Sequence, residues 1–215
     1  MFIRRVMVMK TDIAHAGDDA RDFRKIYRPR LPSRTIKCVG LALFRSQRAR
    51  DYACVLDLDR DVVSWRCIPK AIVNDSGAAR PQWWHVDLAV ETTSEKLLVY
   101  VAEGAGGSPT WMTGRAERMG YRYRTVSIHE VGQTRLRNAV ELIEYARAAA
   151  PLGDRIRILA ALDEAGSLTL ADCLSAVRES QPMHTVATMI VQGLLLVDLD
   201  EALLGPETVV RRAPK

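Results

Sequence analysis

The fold expected of this chain is decided by two stretches, WHVDLAV at Trp84–Val90 and LLVYVA at Leu97–Ala102. Both are short and apolar, with the β-branched and aromatic content typical of strands. The polar segment Thr92–Lys96 between them is short enough to be a tight connection. We therefore expect two consecutive strands, the first of which carries one inward-facing acidic residue, Asp87.

The sequence around these two strands predicts a mixed α/β domain. Apolar periodicity distinguishes its strands, which alternate every second residue, from its helices, which repeat every three to four residues. Further strands are predicted at Thr35–Leu43, Val62–Ile68 and Tyr121–Ile128, and the first of the two central strands is extended to Trp83–Val90. Helices are predicted at Ser46–Leu56, Thr110–Met119 and Arg135–Ala149.

A second, smaller domain is predicted after the break at Pro151–Gly153. Its expected elements are helices at Asp154–Glu164, at Leu168–Val177 with Thr169 as N-cap and at Pro182–Gln192, then strands at Leu194–Leu199 and Thr208–Arg212. Three helices followed by a hairpin is the order of a winged helix-turn-helix. The chain thus divides into an arm at 1–34, an α/β domain at 35–150 and a winged helix at 151–215.

Positive charge is concentrated near the beginning of the chain. The net charge of the 215 residues is +5, yet residues 1–50 hold 13 Lys and Arg against four Asp and Glu. Such a basic region indicates a polyanion partner, most often nucleic acid, although it is also compatible with a solubilising surface. The cationic residues predicted to bind nucleic acid in the arm are Arg21, Arg24, Lys25, Arg28, Arg30 and Arg34.

The four cysteines are widely spaced and form no C-x-x-C pair, which argues against a zinc site or a disulfide framework. We therefore expect a reducing, cytoplasmic environment. No window approaches the roughly 20 apolar residues of a membrane span, and the first residues lack the apolar core and cleavage site of a signal peptide. No membrane association is expected.

Taken in order, several stretches resemble the N-terminal domain of TnsA-type endonuclease subunits of heteromeric transposases, which have a PD-(D/E)xK nuclease-like fold. The resemblance covers about residues 20–150. It rests on the order of stretches that are individually unspecific: Arg45–Tyr52, Asp61–Trp65, Ile68–Pro69, Val86–Leu88, Val99–Ala102, Met119–Tyr121 and Arg135–Val140. This resemblance implies a restriction-endonuclease-like α/β domain followed by a winged helix that engages partner proteins.

The catalytic residues of that family are largely missing here. The family's helix acid falls on Arg45 or Ala49, its glutamine on Ile68, its strand acid on Tyr100 and its lysine on Ala102. Only Asp87 remains. A single carboxylate without a second acid or a lysine is a poor Mg²⁺ site, so we expect no catalytic residues, no metal and no cofactor.

Arginines occupy or flank the helix positions at which the resembling family has acidic residues. Exchanging a carboxylate for a guanidinium would turn a metal cleft into a surface that grips phosphate, and Arg45, Arg48 and Arg50 are candidates for this role. The alternative is that these arginines pair with the acidic residues of the following turn, Asp57–Asp61.

The third helix of the predicted winged helix is poor in Lys and Arg. Its polar candidates for base contacts are Gln181, His184, Thr185 and Thr188. This composition weakens a role in reading DNA, and the acidic stretch Asp198–Glu201 argues for protein contact. Arg211, Arg212 and Lys215 argue for DNA contact, so both alternatives stay open.

The sequence therefore favours a catalytically inactive, TnsA-like protein that grips duplex DNA through its basic N-terminal region and the former nuclease cleft. It would be a transposon-linked subunit or a domesticated regulator. Two alternatives stay open. One is a Mg²⁺-dependent DNA endonuclease with a site rebuilt around Asp87. The other is an assembly subunit that binds a transposase or ATPase partner without touching DNA. A homodimer is compatible with each.

Overall fold

The computed structural model describes residues 35–74, 81–102, 104, 107–127, 129–146 and 149–214. These residues form a mixed α/β structure with six helices and nine strands. The predicted basic arm at 1–34 lies outside the described residues, and so do the six cationic residues assigned to it.

The elements before residue 150 are α1 (Gln47–Leu58), β1 (Val62–Cys67), β2 (Ile72–Asn74), β3 (Gln82–Trp84), β4 (Leu88–Thr92), β5 (Lys96–Ala102), α2 (Trp111–Arg118), β6 (Arg122–Ser127) and α3 (Gln133–Tyr145). The later elements are α4 (Leu152–Ala165), β7 (Ser167–Thr169), α5 (Leu170–Ala176), α6 (Pro182–Val191), β8 (Leu195–Leu196) and β9 (Val209–Arg212). We call residues 151–214 the C-terminal block.

A mixed four-stranded sheet lies at the centre, in the order β1-β4-β5-β6. Its first two pairings are antiparallel, whereas β5 and β6 run parallel. Alternate residues of β5 point to opposite faces of the sheet. Val99 and Val101 pack with the buried residues of α1 and α3, while Leu98 packs with Met112 and Ala116 of α2. The sheet therefore has two helices on one face and one short helix on the other.

The strand predicted at Thr35–Leu43 does not form in the described residues. This segment contributes only an isolated parallel bridge, between Cys38 and Trp65. Gly40 adopts a φ of 93°, which interrupts an extended backbone. The prediction failed because the residues of this segment favour a strand but have no partner strand to pair with along their length.

The strand predicted at Trp83–Val90 is split in two. β3 ends at Trp84 and pairs with β2 in a separate two-stranded sheet, whereas β4 begins at Leu88 in the central sheet. Residues 85–87 carry the chain from one sheet to the other. Alternation predicted the extended conformation correctly but could not show that its pairing partner changes at this point.

The C-terminal block contains a three-stranded sheet in the order β7-β9-β8. Strand β7 was not predicted, since Leu168 was expected in the following helix. Thr169 ends β7 and caps α5 as predicted: its side chain accepts from the N–H of Asp172, whose carboxylate in turn accepts from the N–H of Thr169. The strand predicted at Leu194–Leu199 is reduced to Leu195–Leu196.

One hydrophobic core extends from the central sheet into the C-terminal block. It joins buried residues of α3, such as Ala139 and Leu142, to buried residues of α6, such as Val186 and Ile190. Within the ranges described, no helix combines the length and apolar character that a membrane span requires.

Candidate functional site

Asp87 lies at the entrance to β4, where the chain passes into the central sheet. Its backbone is held on both sides: its N–H donates to the carbonyl of Val99 at 2.9 Å, and its carbonyl accepts from Ile68 at 2.9 Å. Leu88 pairs with Val99, so the antiparallel register places Asp87 opposite Tyr100. The carboxylate of Asp87 is only 1% exposed. Asp87 and Tyr100 are therefore neighbours across the sheet.

The carboxylate of Asp87 is fully engaged by donors from this chain. Arg45 Nε lies 2.9 Å from Oδ1 and Nη2 lies 3.2 Å from Oδ2, which is a bidentate pair. The backbone N–H of Val101 donates to Oδ2 at 2.8 Å. Arg45 immediately precedes Ser46, the residue that caps α1. The start of α1 is thus tied to the centre of the sheet by a buried ion pair.

Tyr100 packs between the guanidinium of Arg45 and the ring of Trp84. The guanidinium carbon lies 5.1 Å from the ring centroid of Tyr100, within the range of a cation–π contact. The ring centroids of Trp84 and Tyr100 are 5.0 Å apart, and Trp84 Nε1 donates to the hydroxyl of Tyr123 at 3.0 Å. Ala102, at the family's lysine position, is 7% exposed. The side chains of Tyr100 and Ala102 are thus both packed within the protein.

The residues around Asp87 do not fit Mg²⁺. This ion needs several hard oxygen ligands in near-octahedral geometry, and the carboxylate of Asp87 already accepts three hydrogen bonds. Burial lowers the pKa of the adjacent His85, and the charge of Arg45 lowers it further, while Asp87 acts in the opposite direction. Across the residues that the structure describes, no group of three or more His, Cys, Asp and Glu is close enough to hold a metal ion.

The predicted phosphate-binding arginines of the helix differ in their surroundings. Arg45 is paired with Asp87, so its charge is already balanced within the protein. Arg48 and Arg50 lie in the first turn of α1 and are half-buried. Asp57, one of the acids considered as their alternative partner, is 1% exposed and accepts instead from the indole of Trp65 at 2.7 Å.

Asp57 has a structural role that the sequence did not indicate. Besides the indole of Trp65, its carboxylate accepts from the backbone N–H groups of Ile36 and Lys37, each at 3.0 Å. Burial raises the pKa of Asp57, although these hydrogen bonds oppose the rise. This residue ties the segment entering the domain to the end of α1.

The residues predicted to read bases on α6 are mostly buried. Thr185 is 2% exposed and Thr188 is 5% exposed, so neither side chain can reach a base in this arrangement. His184 is half-buried, and its Nδ1 lies 2.9 Å from the carbonyl of Tyr145. Gln181 is exposed at the start of the helix. The expectation failed for the two threonines because the fold buries both side chains, and Thr185 contacts the hydroxyl of Ser180.

The contact between α3 and the C-terminal block includes polar side chains beside its apolar core. Asn138 is fully buried, and its Nδ2 donates to the carbonyls of Leu199 and Ala202 at 3.0 and 2.8 Å, while its Oδ1 accepts from Leu204 at 3.0 Å. Arg135 forms a bidentate pair with Asp200, with distances of 2.7 and 2.6 Å. Part of the acidic stretch expected to contact a partner protein is therefore paired within this chain.

Comparison with known proteins gives no family or relative from which the role of this site could be taken. No model of a known protein family matches the chain, and no curated protein matches it. The resemblance to TnsA-type subunits therefore rests on the ordered sequence stretches quoted above.

Proposed function

We propose that this chain is a catalytically inactive, TnsA-like DNA-binding protein with a nuclease-like domain and a winged helix, acting as a transposon-linked subunit or a domesticated regulator. The observation that carries the proposal is the pair between Arg45 and Asp87. The guanidinium supplies a fixed positive charge at the carboxylate that would otherwise hold a metal ion. A guanidinium in place of a metal ion favours binding of DNA over its cleavage.

The order of elements in the C-terminal block supports the winged-helix part of the proposal. Helix α4, strand β7, helices α5 and α6 and the hairpin β8–β9 follow one another, and the three strands pair in one small sheet. This is the order expected when a strand is inserted after the first helix of a helix-turn-helix and a hairpin follows the third. Because α6 is packed against α3, we assign the DNA contacts to the basic N-terminal half rather than to α6.

Affinity in this proposal comes from arginine and lysine contacts with phosphate. Such binding depends little on sequence and releases counterions, so the logarithm of the affinity falls linearly with the logarithm of the salt concentration. Arg48 and Arg50 on α1 and the basic residues of 1–34 are the proposed contacts. Arg45 contributes by holding the cleft together and is not assigned a phosphate.

Fluorescence anisotropy with a labelled duplex tests the proposal. Between about 50 and 200 mM salt the affinity should fall by at least about tenfold, and the double variant Arg48→Ala/Arg50→Ala should bind more weakly with a smaller salt slope. Arg178→Ala, which removes an exposed arginine of the C-terminal block, is the matched control and should bind as the parent does.

A cleavage assay with Mg²⁺ or Mn²⁺ separates binding from catalysis. The parent should leave a supercoiled plasmid intact. Cutting that requires a divalent ion and is lost on Asp87→Asn would contradict the proposal and favour a rebuilt endonuclease site. Absence of any duplex binding at low salt would contradict it in favour of the assembly subunit.

A further inference from the structure

Aromatic side chains cluster on and beside one face of the central sheet. This face is the one packed by α2, and we call it the aromatic face. Five half-buried rings pack against the same small apolar cluster: Tyr100 and Tyr123 lie on the central sheet, Tyr121 immediately precedes β6, Trp84 lies on the neighbouring hairpin and Trp111 begins α2. The chain as a whole is only 6% aromatic. The opposite face packs against buried residues of α1 and α3, which are mostly aliphatic but include Tyr52 of α1.

The aromatic face is only partly covered by its helix. The eight residues of α2 span about 12 Å, whereas four strands at their usual spacing are about 14 Å across and β5 alone is about 23 Å long. Helix α2 buries Leu98 and Ala89 beneath Met112 and Ala116. The five rings at the edge of this small cluster are only half-buried and keep part of their surface in contact with solvent.

Positive charge borders the exposed rings. Arg66 on β1 is exposed, and the registers Arg66↔Ala89, Ala89↔Leu98 and Leu98↔Tyr123 place it in one cross-strand row with Tyr123. Its Nη2 lies 3.2 Å from the hydroxyl of Tyr121, so the arginine extends across the sheet towards the rings. The last turn of α2 adds Arg115 and Arg118.

We propose that the aromatic face binds the unpaired bases of single-stranded nucleic acid, with Tyr121 as a stacking residue and Arg66 as its cationic neighbour. The inference rests on the proposed function, because it names a class of nucleic acid that the same protein binds. Rings stack on any unpaired base, and adjacent arginines neutralise the backbone. Bases inside a duplex are already stacked on one another, so a duplex can offer this face only its phosphates and groove edges.

The hairpin of β2 and β3 provides a matched control. Trp83 is 51% exposed, but it alternates with Trp84 on β3 and therefore lies on the opposite side of this hairpin. Removing Trp83 deletes an exposed aromatic ring outside the aromatic face. Removing Tyr121 deletes one within it.

The test uses the full chain with a labelled oligo(dT) of about 20 nucleotides and a duplex of the same length at one salt concentration. Tyr121→Ala should weaken oligo(dT) binding by at least about fivefold and change duplex binding by less than about twofold. Tyr121→Phe keeps the ring while losing the hydroxyl that accepts from Arg66, and it should retain most of the oligo(dT) affinity. Trp83→Ala should change neither, and all three variants should keep the parent's melting temperature within a few degrees.

Three results would overturn the inference. Duplex binding without oligo(dT) binding would refute the single-strand site and leave the proposed function intact. No binding of either probe would refute both. An equal loss for Trp83→Ala and Tyr121→Ala, or an equal loss for Tyr121→Phe and Tyr121→Ala, would show that stacking on the aromatic face is not responsible.

Discussion

The strength of the ion pair between Arg45 and Asp87 can be measured with a double-mutant cycle of Arg45→Met and Asp87→Asn. Methionine keeps an unbranched apolar chain but removes the guanidinium that lies over Tyr100, and asparagine keeps an oxygen that can accept from Val101. Both replacements therefore remove charge with little loss of volume. The cycle isolates the interaction between the two charged groups.

The structure sets the expected magnitude. Two unit charges about 4 Å apart attract by about 4 kcal/mol at an effective dielectric constant of about 20, and desolvation offsets part of this. Arg45→Met strands a carboxylate that is 1% exposed and should cost about 3 kcal/mol. Asp87→Asn leaves a guanidinium that is 19% exposed and can reach water, so it should cost about 2 kcal/mol.

If this reasoning is correct, the double variant should cost about 3 kcal/mol rather than the sum of the single losses, which gives a coupling of about 2 kcal/mol. Urea unfolding followed by far-ultraviolet circular dichroism provides the free energies, provided that the four proteins share one denaturant slope. Additive losses, with a coupling below about 0.5 kcal/mol, would refute a strong buried pair.

A surface pair in the same protein is the control. Arg122 and Glu95 approach to 3.4 Å, but their side chains are 76% and 39% exposed. Water and salt screen such a pair, so the cycle of Arg122→Met and Glu95→Gln should give a coupling below about 0.5 kcal/mol. A similar coupling in both cycles would mean that burial does not strengthen the pair of Arg45 and Asp87.

Three further predictions concern the stability and reactivity of the folded chain. Burial would raise the pKa of Asp154, but hydrogen bonds from the N–H of Arg178 and from Arg157 outweigh it and lower that pKa. The pKa of Asp154 in the folded state lies below its unfolded value of about 3.9, so this stabilisation is present above about pH 4 and is lost as the pH falls further. The melting temperature of Asp154→Asn should therefore depend less on pH in that acidic range than the melting temperature of the parent. Burial raises the pKa of the Cys54 thiol to about 12, so a thiol reagent at about pH 8 should modify Cys54 only after unfolding, and rapid labelling of the native protein would contradict this. Thr169→Ala removes the capping box of α5 and should cost about 1 kcal/mol in urea unfolding, whereas Thr169→Ser should cost little.

Local patterns in the sequence predicted most of the secondary structure. The helix predicted at Arg135–Ala149 forms at Gln133–Tyr145, because the apolar stripe read from the sequence is the face that the helix buries in the core beside α1. The N-cap at Thr169 was predicted from the side chain alone, since capping is a local interaction. The break between β3 and β4 was not predictable in this way, because it depends on which strand each half pairs with.

At the candidate site, the sequence identified the retained acid but not its partner. Asp87 and the positions of Tyr100 and Ala102 were located by their place on two consecutive strands. Arg45 was expected to face phosphate, yet it binds an acid 42 residues away in the chain. The signal in the sequence was an arginine, Arg45, at a position where the resembling family has an acid, together with the carboxylate of Asp87. Only the folded structure, in which the start of α1 approaches β4, shows that these two side chains meet.

Burial of Thr185 and Thr188 illustrates the same limit. Both are polar residues that were expected to be available for base contacts, and nothing local in the sequence indicates that the fold buries them. Thr185 contacts the hydroxyl of Ser180, which supplies its polar partner. Asn138 is the counterpart on α3, a polar residue among apolar neighbours whose function appears only with the loop at 199–204.

The buried amide of Asn138 also bears on how this protein can be divided into fragments. A fragment ending near residue 150 would keep Asn138 but remove the two carbonyls and the N–H that satisfy it, and it would expose the apolar face of α3. The matching fragment from residue 151 would leave those same backbone groups of the loop, and the apolar face of α6, exposed to solvent. Expression trials should therefore retain α3 with the C-terminal block, because position 150 separates two segments in sequence but cuts through a single packed core.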